Sequence, residues 1–266
     1  MNMRRLFSTI FGMVVLSTLV APAYAQMTDQ VAREQARNVV RSQLHLNRPD
    51  QFLGVQRDEG LEQSLAIATF GWRAGSKLIY KVSPTGYEIK ENAIAHHFTV
   101  DRDYIYIIAV SPADGSIYRI HGFADSLAEF EKLMTAAGER VSSPEQAESL
   151  ADFYRSVNPE NISSLTPISS LLDLKQAAER QCQSGLSSFD ADQEVFATWW
   201  KHAKPLYAEV SFKQTATPSR GDYSVEWIVL SSAGKDNCGG APLRARLEVS
   251  PDGHVGKLTF SPLRKG

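Results

Sequence analysis

Apolar and polar residues alternate along this chain with two different periods, and the period changes several times. Ala32, Ala36, Val40 and Leu44 recur at helical spacing behind Thr28, a residue suited to capping, which predicts a helix over Thr28–Leu44. Runs rich in Ile, Val, Tyr and Phe, separated by turn residues, then predict strands at Ser64–Trp72, Ser76–Ser83, Ala93–Val100, Tyr104–Val110 and Ser116–Phe123. The helical period returns at Ser126–Ala137, where Leu127, Phe130, Leu133 and Met134 fall on one side and Gly138 follows as a stop. Ser143-Pro144-Glu145-Gln146 is a start signal: Ser caps, Pro takes the first helical position and Gln146 completes a capping box. That helix is expected to bury Ala147, Leu150, Ala151 and Tyr154 and to end before Asn158-Pro159.

After a polar stretch at Asn161–Ser170, short helices are expected at Leu171–Cys182 and Asp190–His202. Four strands should follow, at Leu206–Thr215, Tyr223–Ser231, Leu243–Val249 and His254–Phe260, connected by turns and therefore antiparallel. The expected fold class is α+β: two helix-plus-antiparallel-meander units, 26–123 and 171–266, joined by a helical connection at 124–170.

The two halves echo one another. Val110-Ser111-Pro112-Ala113-Asp114-Gly115-Ser116-Ile117 resembles Val249-Ser250-Pro251-Asp252-Gly253-His254-Val255. In each, Pro presets one turn angle and Gly supplies a positive φ between two strands. Duplication and the coincidence of common Asp-Gly turns both account for it. At these residues the chain resembles the PepSY-like and cystatin-like modules of uncharacterised exported bacterial proteins, in which a helix crosses an antiparallel sheet. The resemblance covers Thr28–Phe123 and, less fully, Asp190–Phe260. It implies a non-catalytic module that acts by binding, often as a regulator of envelope enzymes.

The N-terminus changes how the rest is read. Arg4 and Arg5 precede an apolar run from Leu6 to Val20, and Ala23-Tyr24-Ala25 offers a small-x-small cleavage site. Residues 1–25 are expected to be a secretory signal, so the protein should be secreted or periplasmic, with Gln26 first and no later membrane segment. In an oxidising compartment the two cysteines, Cys182 and Cys238, are expected to form a disulfide. The formal net charge is −2, and loss of Arg4 and Arg5 makes it two units more negative. Nucleic acid is therefore not an expected partner, whereas a protein or a cell-envelope polymer is.

Candidate chemistry is sparse. His96, His97, Asp101 and His121 are the best candidates for chemistry, with His97 and Asp101 sharing a strand face that His121 could approach. Their spacing matches no metal-ligand motif, and no metal or other cofactor is expected. Gly-x-Ser-x-Gly and His-Glu-x-x-His signatures are missing. Tyr104 and Tyr106 share one strand face, and with Tyr118 they are the expected binding residues, since tyrosine is favoured at interfaces. Cover by the first and middle helices explains the same pattern. The Arg33, Arg37 and Arg41 stripe is either a dock for an anionic surface or a solvated helix face. The expected function is non-enzymatic binding or regulation. The alternatives are an envelope hydrolase using His97, His121 and Asp101, and a structural envelope protein that self-associates.

Overall fold

The computed structural model describes residues 27–44, 53–69, 75–84, 105–137, 141–160, 162, 165–185, 189–231 and 240–263. The first helix, α1 (Asp29–Gln43), begins where Thr28 Oγ1 accepts the Val31 N–H at 3.4 Å. Its buried stripe is Ala32, Ala36 and Val40. Small side chains at those positions let the helix axis approach the sheet closely.

That sheet is an antiparallel meander of β1 (Leu53–Arg57), β2 (Leu78–Pro84), β3 (Tyr106–Val110) and β4 (Ile117–His121), in that spatial order. Strand alternation divides its two faces. Leu78, Tyr80, Val82, Tyr106, Ile108 and Val110 pack with α1, and Ile79, Ile107, Ala109 and Ile120 pack on the opposite side. The opposite side is covered by α2 (Glu59–Thr69), α3 (Ser126–Ala137) and α4 (Pro144–Val157). A second meander, β5 (Thr215–Ser219), β6 (Asp222–Leu230), β7 (Pro242–Val249) and β8 (Thr259–Pro262), lies beyond α4. Val225, Trp227, Val229, Ala245, Leu247 and Val249 share the α4 core, while Ile228 and Leu230 face α5 (Leu171–Gly185) and α6 (Phe189–Tyr207). The fold is α+β, and helix and sheet layers alternate from α1 through to α6.

The expected helical connection is thus part of the interior. Ala147, Leu150, Ala151, Phe153, Tyr154 and Val157 of α4 are all buried, between α2 on one side and the second sheet on the other. The Phe130 ring meets Phe153 at 5.7 Å and Tyr154 edge-on at 5.5 Å, which fixes α3 against α4. The polar stretch after α4 is stitched down as well: Leu165 and Ile168 are buried, and the Ile168 N–H donates to the Ile228 carbonyl at 2.8 Å.

Three sequence expectations need correction. Ser64–Thr69 belongs to α2, not to a strand. Asp58 caps that helix, accepting the Leu61 N–H at 2.9 Å, and Leu61, Leu65 and Ala68 form its buried stripe. The alternation of Leu65, Ile67 and Thr69 imitated a strand, but Ile67 is 53% exposed. Strand β1 was not expected at all, because Leu53-Gly54-Val55-Gln56-Arg57 carries little β-forming composition. The strand expected at Leu206–Thr215 is absent: α6 runs to Tyr207, with Pro205 inside it, and β5 begins only at Thr215. The strand expected at Ala93–Val100 lies outside the described residues.

The echo between the halves has a structural counterpart. Both Ser-Pro-Asp-Gly turns connect the third strand of a meander to its fourth. In both, the Ser backbone N–H bonds past the glycine, Ser111 to the Ser116 carbonyl at 2.8 Å and Ser250 to the His254 carbonyl at 2.9 Å. In both, the Asp carboxylate accepts a backbone N–H two residues on, from Ser116 at 3.0 Å and from His254 at 3.4 Å. Gly115 and Gly253 take φ values of 74° and 79°.

Candidate functional site: a cleft between the first helix and an edge strand

Helix α1 crosses β1, β2 and β3 and leaves a cleft beside β4, the edge of its sheet. The cleft has a volume of about 720 Å³, within the range of ligand sites. One wall is a single face of α1: Gln35, Asn38, Val39, Ser42 and Gln43, at the i, i+3, i+4, i+7, i+8 spacing that aligns side chains along a helix. Ile117 and Arg119 of β4 and Phe123 make the floor, and Glu129 of α3 closes the far side.

The charges in this cleft are already matched within the protein. The Arg119 guanidinium pairs with Asp125 and lies 5.8 Å from the Phe123 ring centre. The Glu129 carboxylate, almost wholly buried, takes the Lys132 ammonium at 2.6 Å. The α1 wall, by contrast, offers neutral amides and a hydroxyl. Gln35 Oε1 is buried and has no hydrogen-bond partner among the described residues. An acceptor in that condition costs free energy until something donates to it.

The residues singled out from the sequence lie elsewhere. Tyr106 is 6% exposed, and its ring packs on Phe123 at a centroid distance of 5.0 Å. It belongs to the core under α1 and cannot present a binding surface. Tyr118 is half-buried on the opposite face of β4 from the cleft floor, and burial raises its hydroxyl pKa. Tyr104, His96, His97 and Asp101 lie outside the described residues. His121 Nδ1 is 2.8 Å from the Asn158 carbonyl. A carbonyl only accepts, so that nitrogen carries the proton and holds α4's left-handed C-cap to β4. Among the described residues no group of three or more His, Cys, Asp or Glu side chains is placed to hold a metal. The arginine stripe is spent on its own helix: Arg33 pairs with Asp29 at 3.2 Å, Arg37 with Glu34 at 2.5 Å, and Arg41 reaches Asn38 at 3.5 Å.

One constellation that the sequence did not reveal has the look of catalytic chemistry. Lys77 Nζ donates to Ser111 Oγ at 2.9 Å, and burial lowers the Lys77 pKa. A lysine next to a serine can activate a nucleophile. Here the serine is fully buried, and its hydroxyl is engaged by the Asp114 carboxylate of its own turn. Ser250 makes the same bond to Asp252 in the second turn. The serine therefore locks a turn, and the lysine completes the buried polar group.

No family model, no curated protein and no solved structure matches this chain. No helix among the described residues is long and apolar enough to cross a membrane.

Proposed function

We propose that this is a non-enzymatic binding or regulatory protein, exported to the periplasm or beyond, that takes its partner in the α1–β4 cleft. The observation that carries this reading is the cleft itself. Neutral hydrogen-bonding side chains line an open cavity, whereas the one Lys–Ser pair with catalytic potential among the described residues is sealed inside a turn. Sites of this volume, with an apolar floor and a few convergent polar groups, commonly bind ligands. Export is supported by the basic start, apolar run and small-x-small site within residues 1–25. N-terminal sequencing of protein from the envelope fraction should begin at Gln26; an intact Met1 there would remove the cleavage, and recovery of the protein from the cytoplasm alone would remove the export proposal.

The cleft reading is tested by filling it. Ser42→Trp places an indole against the floor, and Asn38→Trp does so from the exposed rim. Each should weaken partner binding by about tenfold or more, roughly 1.4 kcal/mol, while thermal melting stays close to that of the parent. Partner binding unaffected in both folded variants would overturn the reading.

A further inference from the structure

The edges of the two sheets are treated differently. In the second sheet both edge strands contain a proline, Pro218 in β5 and Pro262 in β8. Proline on an edge strand withholds a backbone donor and discourages pairing with another chain. β4 has no proline, and its sequence, Ile-Tyr-Arg-Ile-His, is dominated by good strand formers. Among the described residues no strand pairs with the side of β4 away from β3. The cleft lies along this same strand.

Length and charge narrow what can occupy it. From Gln35 to Gln43 the α1 wall is about 12 Å long at a helical rise of 1.5 Å per residue. An extended chain covers that distance in about four residues. The cationic and anionic groups of the cleft are both neutralised internally, so a charged ligand would have to displace an existing ion pair. The near wall offers amides that can donate and accept at once, as a peptide backbone requires. A stacked sugar is poorly served: Phe123, the one aromatic ring among the described residues of the cleft, is 5% exposed and covered by Tyr106 and Arg119.

On the reading that the cleft is a binding site, we infer that its ligand is a neutral, extended peptide segment of a protein partner, which adds to β4 as a fifth strand. Backbone hydrogen bonds to β4 provide affinity, and Gln35, Asn38, Ser42 and Gln43 read the outward side of the segment. Side chains on one face of the added strand meet Val39 and Ile117, so small or medium apolar residues are selected at alternate positions.

The experiment uses the mature chain, a displayed library of random peptides of about ten residues, and a panel of neutral oligosaccharides. Peptides selected on the parent protein should lose about tenfold or more in affinity on Ser42→Trp and on Asn38→Trp. In a selected peptide, N-methylation of alternate amides should cost about tenfold in the register that faces the β4 edge and several-fold less in the other, whose amides meet only the side chains of α1. Backbone amides within Ile117–His121 should also gain protection from exchange. Equal sensitivity to methylation in both registers would overturn strand addition. Binding of oligosaccharides alone, lost in the two variants, would keep the cleft as a site but remove the peptide. The absence of any cleft-dependent ligand from either panel would overturn both.

Discussion

The backbone N–H of Val141 donates to the carbonyl of Pro251 at 2.7 Å. Met27 makes the same bond to Pro112 at 3.0 Å. In each pair the donor just precedes the cap of a helix, Ser143 before α4 or Thr28 before α1, and the acceptor is the proline of the Ser-Pro-Asp-Gly turn. α1 crosses the first three strands of its meander, and α4 crosses the first three strands of the other. The helix that crosses the second meander is therefore α4, and the contact with its turn begins at Val141. The pairing explains why the turns are alike: each is the anchor for the start of its helix.

The glycines of those turns should be equally hard to replace. A Cβ on Gly115 would meet Met27 Cε at an ordinary 3.6 Å, so space is not the obstacle. The positive φ is. Gly115→Ala and Gly253→Ala should each destabilise the fold by about 1 kcal/mol, read as a shift in denaturant midpoint at constant slope.

Tyr106 is a packing residue, and its substitution should show it. Its ring lies against Phe123, and a Cβ on Gly122, whose φ is 88°, would fall 2.8 Å from Tyr106 Cδ1. Tyr106→Ala should cost about 3 kcal/mol or more, as large-to-small aromatic changes in a core do. A melting curve unchanged from the parent would show that the ring is not part of the core.

Much of this fold was legible in the sequence, and what was not has a common cause. α1 and α4 have side-chain caps, and with α3 they keep strict helical spacing, so local chemistry and tertiary packing agree. α2 lacks that agreement: its Asp58 cap is clear only once the chain is folded, and its exposed Ile67 breaks the apolar stripe. β1 exists because β2 offers it a ladder from Leu53↔Pro84 to Arg57↔Tyr80, which its own composition does not announce. Tyr106 and Ile108 share the face of β3 that packs under α1, but strand alternation alone says nothing of what covers a face. The cleft was invisible for the opposite reason. It joins residues of α1, β4 and α3, far apart in sequence and individually unremarkable in type.

Buried charge at the other end of α1 gives a stability prediction. Glu62 accepts Arg57 Nε and a second guanidinium nitrogen, both at 2.8 Å, and also the Ile79 N–H at 3.0 Å. It thereby ties α2 to β1 and β2. Asp29 extends the group, 3.5 Å from Arg57 and 2.9 Å from the Tyr80 hydroxyl. Glu62→Ala should cost about 3 kcal/mol, because it strands the guanidinium and the amide. Arg57→Met combined with Glu62→Leu should cost less than the sum of the single changes. Strict additivity in that cycle would remove the coupling.

Acid should weaken the first turn. The Ser116 N–H, and then the Ser111 hydroxyl, hold the Asp114 carboxyl down to about 2. An unfolded aspartate titrates near pH 3.9, at about the ordinary value. The stabilisation from Asp114 is therefore complete above that value and is lost as pH falls toward 2. Asp114→Asn should be less stable than the parent at neutral pH, and the gap should close as acid is added. A constant gap across that window would remove the linkage.

Cys182 is 2% exposed on α5, packed with Leu174, Ala178, Ile228 and Leu230, whereas Cys238 lies outside the described residues. Its near neighbour Gly240 can be placed: a Cβ built there would fall 2.8 Å from Gln181 Oε1, on the residue adjoining Cys182. The chain thus reaches the side chain of Gln181, the residue before Cys182, two residues after Cys238. We propose that Cys182 and Cys238 are joined. The bond would fix α5, and through it α6, to the end of β6 and the start of β7, where apolar cover is thin and several aromatic side chains of α6 are only partly buried. Peptide mapping under non-reducing conditions should recover the two cysteines in one linked fragment, and Cys238→Ser should cost about 4 kcal/mol on the chain-entropy scale. Two free thiols in protein recovered from an oxidising compartment would refute the bond, and the α5–α6 layer would then be held by its apolar contacts alone.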